Sequence, residues 1–170
     1  MKRYSAVAVA NEFLALAEYS HDITPMKLMK LVYFAHAWSW GFYGRPLIDE
    51  EFQAWRYGPV SPSLYQAMKE YGDTPIMSPL KVVMAWDFQQ IIVEPHVDRD
   101  DTEAKDIIRL VWQEYGKYSA ARLSQITHGS GTPWWQVSNR YGGNIPPWVT
   151  IPEESISEYY GDMVKASEGK

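Results

Sequence analysis

The chain contains no cysteine. Disulfides, thiolate metal sites and cysteine nucleophiles are therefore excluded. Its four histidines, His21, His36, His96 and His128, are scattered. No two stand at i, i+4, and no H-E-x-x-H, H-x-E or Ser-His-Asp signature accompanies them, so neither a metal site nor a hydrolytic constellation is marked. "GSGTP", at Gly129 to Pro133, lacks the lysine and the following Ser/Thr of a phosphate loop. Cofactors and metals are expected to be absent. No long basic run is present, and the net charge of −5 disfavours nucleic acid, whose binding needs Lys and Arg to displace counterions.

A long hydrophobic run is also missing. "KLVYFAHAWSWGFYGRPLID", from Lys30 to Asp49, comes nearest, but its apolar part, Leu31 to Tyr43, includes His36, Ser39 and Gly41. A membrane span needs ~20 apolar residues. The start, "MKRYSAVAVANEFLALAEYS", begins like a signal peptide, yet Asn11, Glu12 and Glu18 interrupt it at helical spacing, so it reads as a mature helix. With no cysteine and no span, a cytoplasmic protein is expected.

Large rings are abundant: eight Trp and twelve Tyr in 170 residues. They suit a ring-filled core or an aromatic binding face. Hydrophobic residues make up 46% and charged residues 22%, a globular balance that argues against disorder. The charge is uneven, since the first 71 residues carry seven basic and seven acidic groups while the remainder carries nine and fourteen. The excess lies in "DRDDTEAKD", Asp98 to Asp106, and in the tail from Glu153. The first of these reads as a solvated loop and helix start, where carboxylates suit the helix dipole. Its second use would be pairing with a basic partner.

Hydrophobic period predicts a helix over Tyr4 to Tyr19, with Ala6, Val7, Ala10, Phe13, Leu14 and Ala17 on one stripe. A second is predicted from Pro25 to about Phe42, with Thr24 as N-cap and Gly41 and Gly44 ending it. Being apolar on most sides, it is the expected hub. "FQAWRYGPV", Phe52 to Val60, reads as extended or a short strand. Ser61 and Pro62 open a further helix that Gly72 stops. Val82 to Ala85 and Gln90 to Val93 are two short strands or loop, in a stretch expected to be mobile or inserted. Helices follow from Asp101 or Thr102 to Gly116, from Ser119 to Gly129, from Pro133, and from about Pro152 to Lys165, with 166–170 as a frayed tail. The expectation is a mainly α, single compact domain over residues 1–170. About six or seven helices surround a central hydrophobic helix, with at most a small β element.

Six residues stand out as contact candidates. Arg56 and Tyr57 precede the tight Gly58-Pro59 bend, where they either face a partner or pack to position the next helix; the structural reading is favoured. His128 stands at a helix end, where free carbonyls and the dipole suit it, and where general base catalysis would need a partner group. Trp134 and Trp135 point different ways on a helix, one for the core and one as an anchor. Trp38 and Trp40 lie ~200° apart on a helix, which leaves Trp40 for a second neighbour or a partner.

Four stretches taken together resemble a known family: "PMKLMKLVYFAHAWSWGFYGRPLIDEEFQAWRYGPVSPSLYQAMKEYG", "IIRLVWQEYGKYSAARLSQITH", "TPWWQV" and "IPEESISEYY". They are similar to the Panacea domain of SocA-like antitoxins and of GepA-type phage-associated proteins, from about Pro25 to Tyr160. Leu123, Ser124, Thr127, His128, Pro133 and Trp134 strengthen the likeness. The resemblance implies an antitoxin that binds and neutralises a cognate toxin protein encoded beside it, with no catalysis. An alternative it implies is an adaptor that delivers the toxin to a cytosolic ATP-dependent protease, although no protease-binding motif is visible. A further alternative is an enzyme using His128. Family antitoxins often carry a DNA-binding or other accessory domain, and none is visible here. Neither the toxin, the surface that binds it nor the oligomeric state is expected to be legible at this level.

Overall fold

The computed structural model describes residues 1–19, 22–87 and 89–169. His21 lies outside them. The hub helix forms where the apolar pattern places it. α2 runs Pro25–Tyr43, opened by Thr24, whose side chain accepts from the Lys27 amide, and closed by Gly44 at φ 62°. Leu28, Leu31, Val32, Ala35, Tyr33 and Phe34 are all buried, so the helix must be covered on several sides. Around it stand α1 (Ala6–Leu16), α4 (Thr102–Tyr115), α5 (Ala120–Thr127) and α7 (Glu153–Glu168). α1, α4, α5 and α7 all pack on α2. The remaining helices are α3 (Pro62–Met68), which continues into a 3-10 turn at Lys69–Tyr71, and α6 (Pro133–Arg140).

A glycine lets α7 pack tightly on α2. Gly41 does not end the helix. It lies within α2, where a side-chain carbon would come 3.0 Å from the Tyr160 carbonyl oxygen. Beside it the Trp38 and Tyr160 rings meet edge to face at 5.0 Å. α4 is fixed to α2 by the Phe34 and Tyr115 rings, stacked at 4.3 Å, and by the Trp38 indole N–H, which donates to the Tyr115 hydroxyl at 3.0 Å.

α1 is shorter than the helix expected over Tyr4 to Tyr19. Ser5 caps it, accepting from the Ala8 amide at 3.2 Å. Tyr4 is extended instead, because its amide donates to Leu47 O at 2.9 Å and its carbonyl accepts from the Asp49 amide at 3.0 Å. At the other end, Glu18 and Tyr19 take positive φ and stop the helix. α7 runs to Glu168, beyond the expected end at Lys165.

Two antiparallel hairpins complete the fold. β1 (Gln53–Trp55) pairs with β2 (Gly58–Val60) around an Arg56-Tyr57 turn. The Ala54 amide donates to Val149 O and the Ile151 amide to Phe52 O, at 2.8 and 2.7 Å, so the chain before α7 lies along β1. β3 (Val82–Trp86) pairs with β4 (Gln89–Val93). This second hairpin is an arm with solvent on both faces: Val83, Met84, Ile91 and Ile92 are all exposed, Ile92 by 72%. Asn11 fastens its base. Buried in α1, Asn11 donates to Leu80 O and Pro95 O and accepts from the Leu80 amide. The polar residue that breaks the apolar stripe of α1 thus ties down both ends of the arm.

His36 is the buried imidazole of α2. Its Nδ1 accepts from the Ile48 amide at 3.3 Å, and the Phe52 ring lies 5.2 Å away. Burial, with the Arg3 charge as the smaller cause, pushes its pKa down to about 3. The folded chain therefore stays unprotonated at His36 while the unfolded chain takes up a proton near the ordinary value of ~6.5. Stability from this group is complete above about pH 6.5 and falls as pH drops from there toward 3. By pH 4.5 the expected loss is about 2–3 kcal/mol. His36→Leu should lower stability at neutral pH by removing the acceptor, but it should flatten the acid slope. Urea denaturation of both proteins at pH 7 and pH 4.5 measures the difference.

Candidate partner-binding groove

The Arg56-Tyr57 turn is built from inside. A hairpin turn that packs against helices must find donors for its inward carbonyls, or leave them buried and unpaired. Here three side chains from three helices supply them, and the imidazole of a fourth lies within reach. The Trp134 indole N–H, from α6, donates to Trp55 O at 2.8 Å. His128 Nε2, at the end of α5, lies 3.2 Å from Arg56 O. The Ser124 hydroxyl, from α5, donates to Tyr57 O at 2.9 Å. Lys30 Nζ, from α2, donates to Pro59 O at 2.9 Å.

These side chains also brace each other. His128 Nδ1 lies 2.6 Å from Ser124 O, and its ring meets the Trp134 ring edge on at 3.7 Å. Ser124 and His128 therefore sit side by side, but the serine proton is committed to Tyr57 O. Both imidazole nitrogens face backbone carbonyls. Among the described residues no carboxylate is bonded to His128, and no group of three His, Asp or Glu could hold a metal ion. What the cluster does chemically is hold a turn.

Gly58 allows the close fit. Its φ of +106° is one that L side chains rarely adopt, and a side-chain carbon there would come 2.6 Å from Thr127 Oγ1 and 3.0 Å from Lys30 Nζ. Lys30 is only 2% exposed, and this burial lowers its pKa to about 7.

With its backbone held below, the turn offers its side chains to solvent. Tyr57 is 60% exposed, and the Arg56 guanidinium lies over its ring at 5.4 Å. Between the hairpin, α2 and α3 opens a groove of about 550 Å³. Its walls include Met26, Met29, Met68, Trp55 and Tyr65, and Lys30 forms part of its floor. On the other flank Trp55 and Arg56 line a smaller cleft of about 350 Å³ with Ile145, Pro146, Pro147 and the exposed Trp148.

Of the six candidates from sequence, Arg56, Tyr57, His128 and Trp134 come together here. Arg56 and Tyr57 face outward; His128 and Trp134 lie beneath them as supports. Trp40 and Trp135 do not join. Both are half-buried against the core, and the Trp40 indole N–H has no acceptor among the described residues. The acidic run is engaged internally: Asp101 caps α4 and accepts from the Tyr4 hydroxyl, and Asp98 pairs with Lys2. Sequence reasoning passed over Lys30, the methionines of the groove and Trp148. For Lys30 a signal was present, because a lysine stands within a helix expected to be buried all round.

The fold and the groove define a mainly helical scaffold that presents a braced hairpin beside an apolar cleft. Among the described residues no helix is long and apolar enough to cross a membrane. The family model described as antitoxin SocA-like, Panacea domain, matches residues 28–135. Antitoxin SocA of Caulobacter vibrioides (strain NA1000 / CB15N) is 33% identical over 156 residues, covering 91% of this chain and 81% of that protein. No solved structure matches the chain. The chain belongs to the SocA-like, Panacea-domain antitoxin family. The matched segment contains the hairpin and the four side chains that lie against its turn carbonyls.

Gly58→Ala tests the brace. The strained φ and the clash with Thr127 should cost about 2–4 kcal/mol, a fall in Tm of roughly 5–15 °C at this chain length. Thermal unfolding followed by circular dichroism reads it.

Proposed function

We propose that this protein is a cytoplasmic antitoxin that binds a cognate toxin protein directly and holds it inactive, with no bond-making step of its own. Family membership carries this reading: the chain aligns over 91% of its length with a protein named Antitoxin SocA. The surface around the hairpin supports it. An exposed Tyr and Arg at the turn tip are residue types that concentrate binding energy. Methionine side chains adapt their shape to apolar partners. Serine and histidine beneath the tip have their polar atoms turned to backbone carbonyls, which suits a scaffold.

The test is co-expression with the product of the adjacent gene. Growth arrest by that product should be relieved, the two proteins should co-elute at a fixed ratio, and the toxin's half-life should be unchanged. Tyr57→Ala, at an exposed position, should weaken the complex by about 1–3 kcal/mol with little change in Tm. Rescue with no complex contradicts direct neutralisation. Rescue with a shortened toxin half-life contradicts it in favour of delivery to a protease.

A further inference from the structure

The groove beside the hairpin carries charge opposite to that of the chain. The chain is −5 overall, yet the charged side chains lining the groove are Lys30, Arg56 and Lys69 against Asp73 alone. Arg56 and Lys69 are exposed, so they stand at the rim. Lys30 differs from both. It is buried, and an ammonium can donate three hydrogen bonds. Lys30 is seen to make one, to Pro59 O, and among the described residues no carboxylate pairs with it. Lys27, one turn earlier on the same helix and also buried, reaches Asp22 at 2.8 Å. Burial without a counter-charge disfavours the charged form of this amine. An arriving carboxylate would supply both the missing charge and the missing acceptor.

We propose that the groove takes a segment of the toxin in which an aromatic or aliphatic side chain lies next to a carboxylate. The apolar group lodges among Met26, Met29 and Met68, and the carboxylate bonds the Lys30 amine between the Arg56 and Lys69 charges. This rests on the direct-binding reading above and adds where the toxin sits and what chemistry is recognised. The apolar walls supply area, and the single buried amine supplies selection, since a segment without a carboxylate leaves it unpaired.

The experiment uses the full chain with 13C-labelled methionine methyl groups and, as probe, the purified product of the adjacent gene. Of the seven methionines, Met26, Met29 and Met68 line the groove, while Met77, Met84 and Met163 are exposed and are not among the residues that line it. Binding should shift the first three methyl signals and leave the other three in place. The double variant Arg56→Glu, Lys69→Glu alters two exposed rim charges and should bind at least tenfold more weakly with Tm nearly unchanged. Lys30→Met should also bind at least tenfold more weakly. Should that variant fail to fold, the rim variant and the methyl shifts still decide the matter. A complex whose shifts are confined to Met77, Met84 or Met163, or one that the rim variant binds as tightly as the parent, overturns the groove and leaves direct binding standing. No complex at all overturns both.

Discussion

Everything presented by the β1–β2 hairpin depends on how its turn carbonyls are satisfied. A two-stranded hairpin alone is marginal in water. This one is held by an indole, a hydroxyl and an amine reaching up from α6, α5 and α2, with the His128 imidazole lying against Arg56 O. Buried backbone oxygens are costly to leave unpaired, so each donor also fixes the position of the strand it serves. Gly58 is the steric counterpart, because a side chain there would occupy the space of Thr127 and Lys30. Helices and hairpin therefore lock as one unit, and the outward residues, Arg56 and Tyr57, are aimed by a rigid base.

The same arrangement fixes where Ser124 and His128 direct their polar atoms. Ser124 and His128 are neighbours, but their polar atoms are turned toward Tyr57 O, Arg56 O and Ser124 O. What remains open to solvent is a methionine-lined groove, a tyrosine with a guanidinium over its ring, and a smaller cleft beside Trp148. A protein-docking role needs such a surface and a scaffold stiff enough to keep its shape.

Much of the fold was legible because local rules act within a few residues. Thr24-Pro25 and Ser61-Pro62 mark helix starts, and both hydroxyls cap as their positions predict, while Pro133 marks a third start. The apolar circumference of α2 announces its central place. Rules of that range misjudge residues that answer to distant parts of the chain. Tyr4 falls within the expected helix but pairs with Leu47 and Asp49. Gly41 resembles a stop but lies within α2, where α7 packs against its backbone. The strands of the arm were visible as two short apolar runs, whereas their exposure was not, because such runs ordinarily imply a buried face. The site was legible only in part for the same reason. Arg56, Tyr57, His128 and Trp134 could be singled out one at a time. The grip that unites them joins positions 30, 124, 128 and 134 to one turn, and no periodicity spans that distance. Trp40, left by its spacing from Trp38 for a second neighbour or a partner, is half-buried against the core.

Native-state hydrogen exchange tests the central claim most directly. The amides of Ala54 and Ile151 bond the hairpin to its flanking strand, and those of α2 report the core. If the side-chain grip makes hairpin and helices one cooperative unit, both sets should exchange with the same opening free energy, that of global unfolding. Ala54 and Ile151 exchanging orders of magnitude faster than the α2 amides would show a hairpin that opens by itself, and would contradict the account.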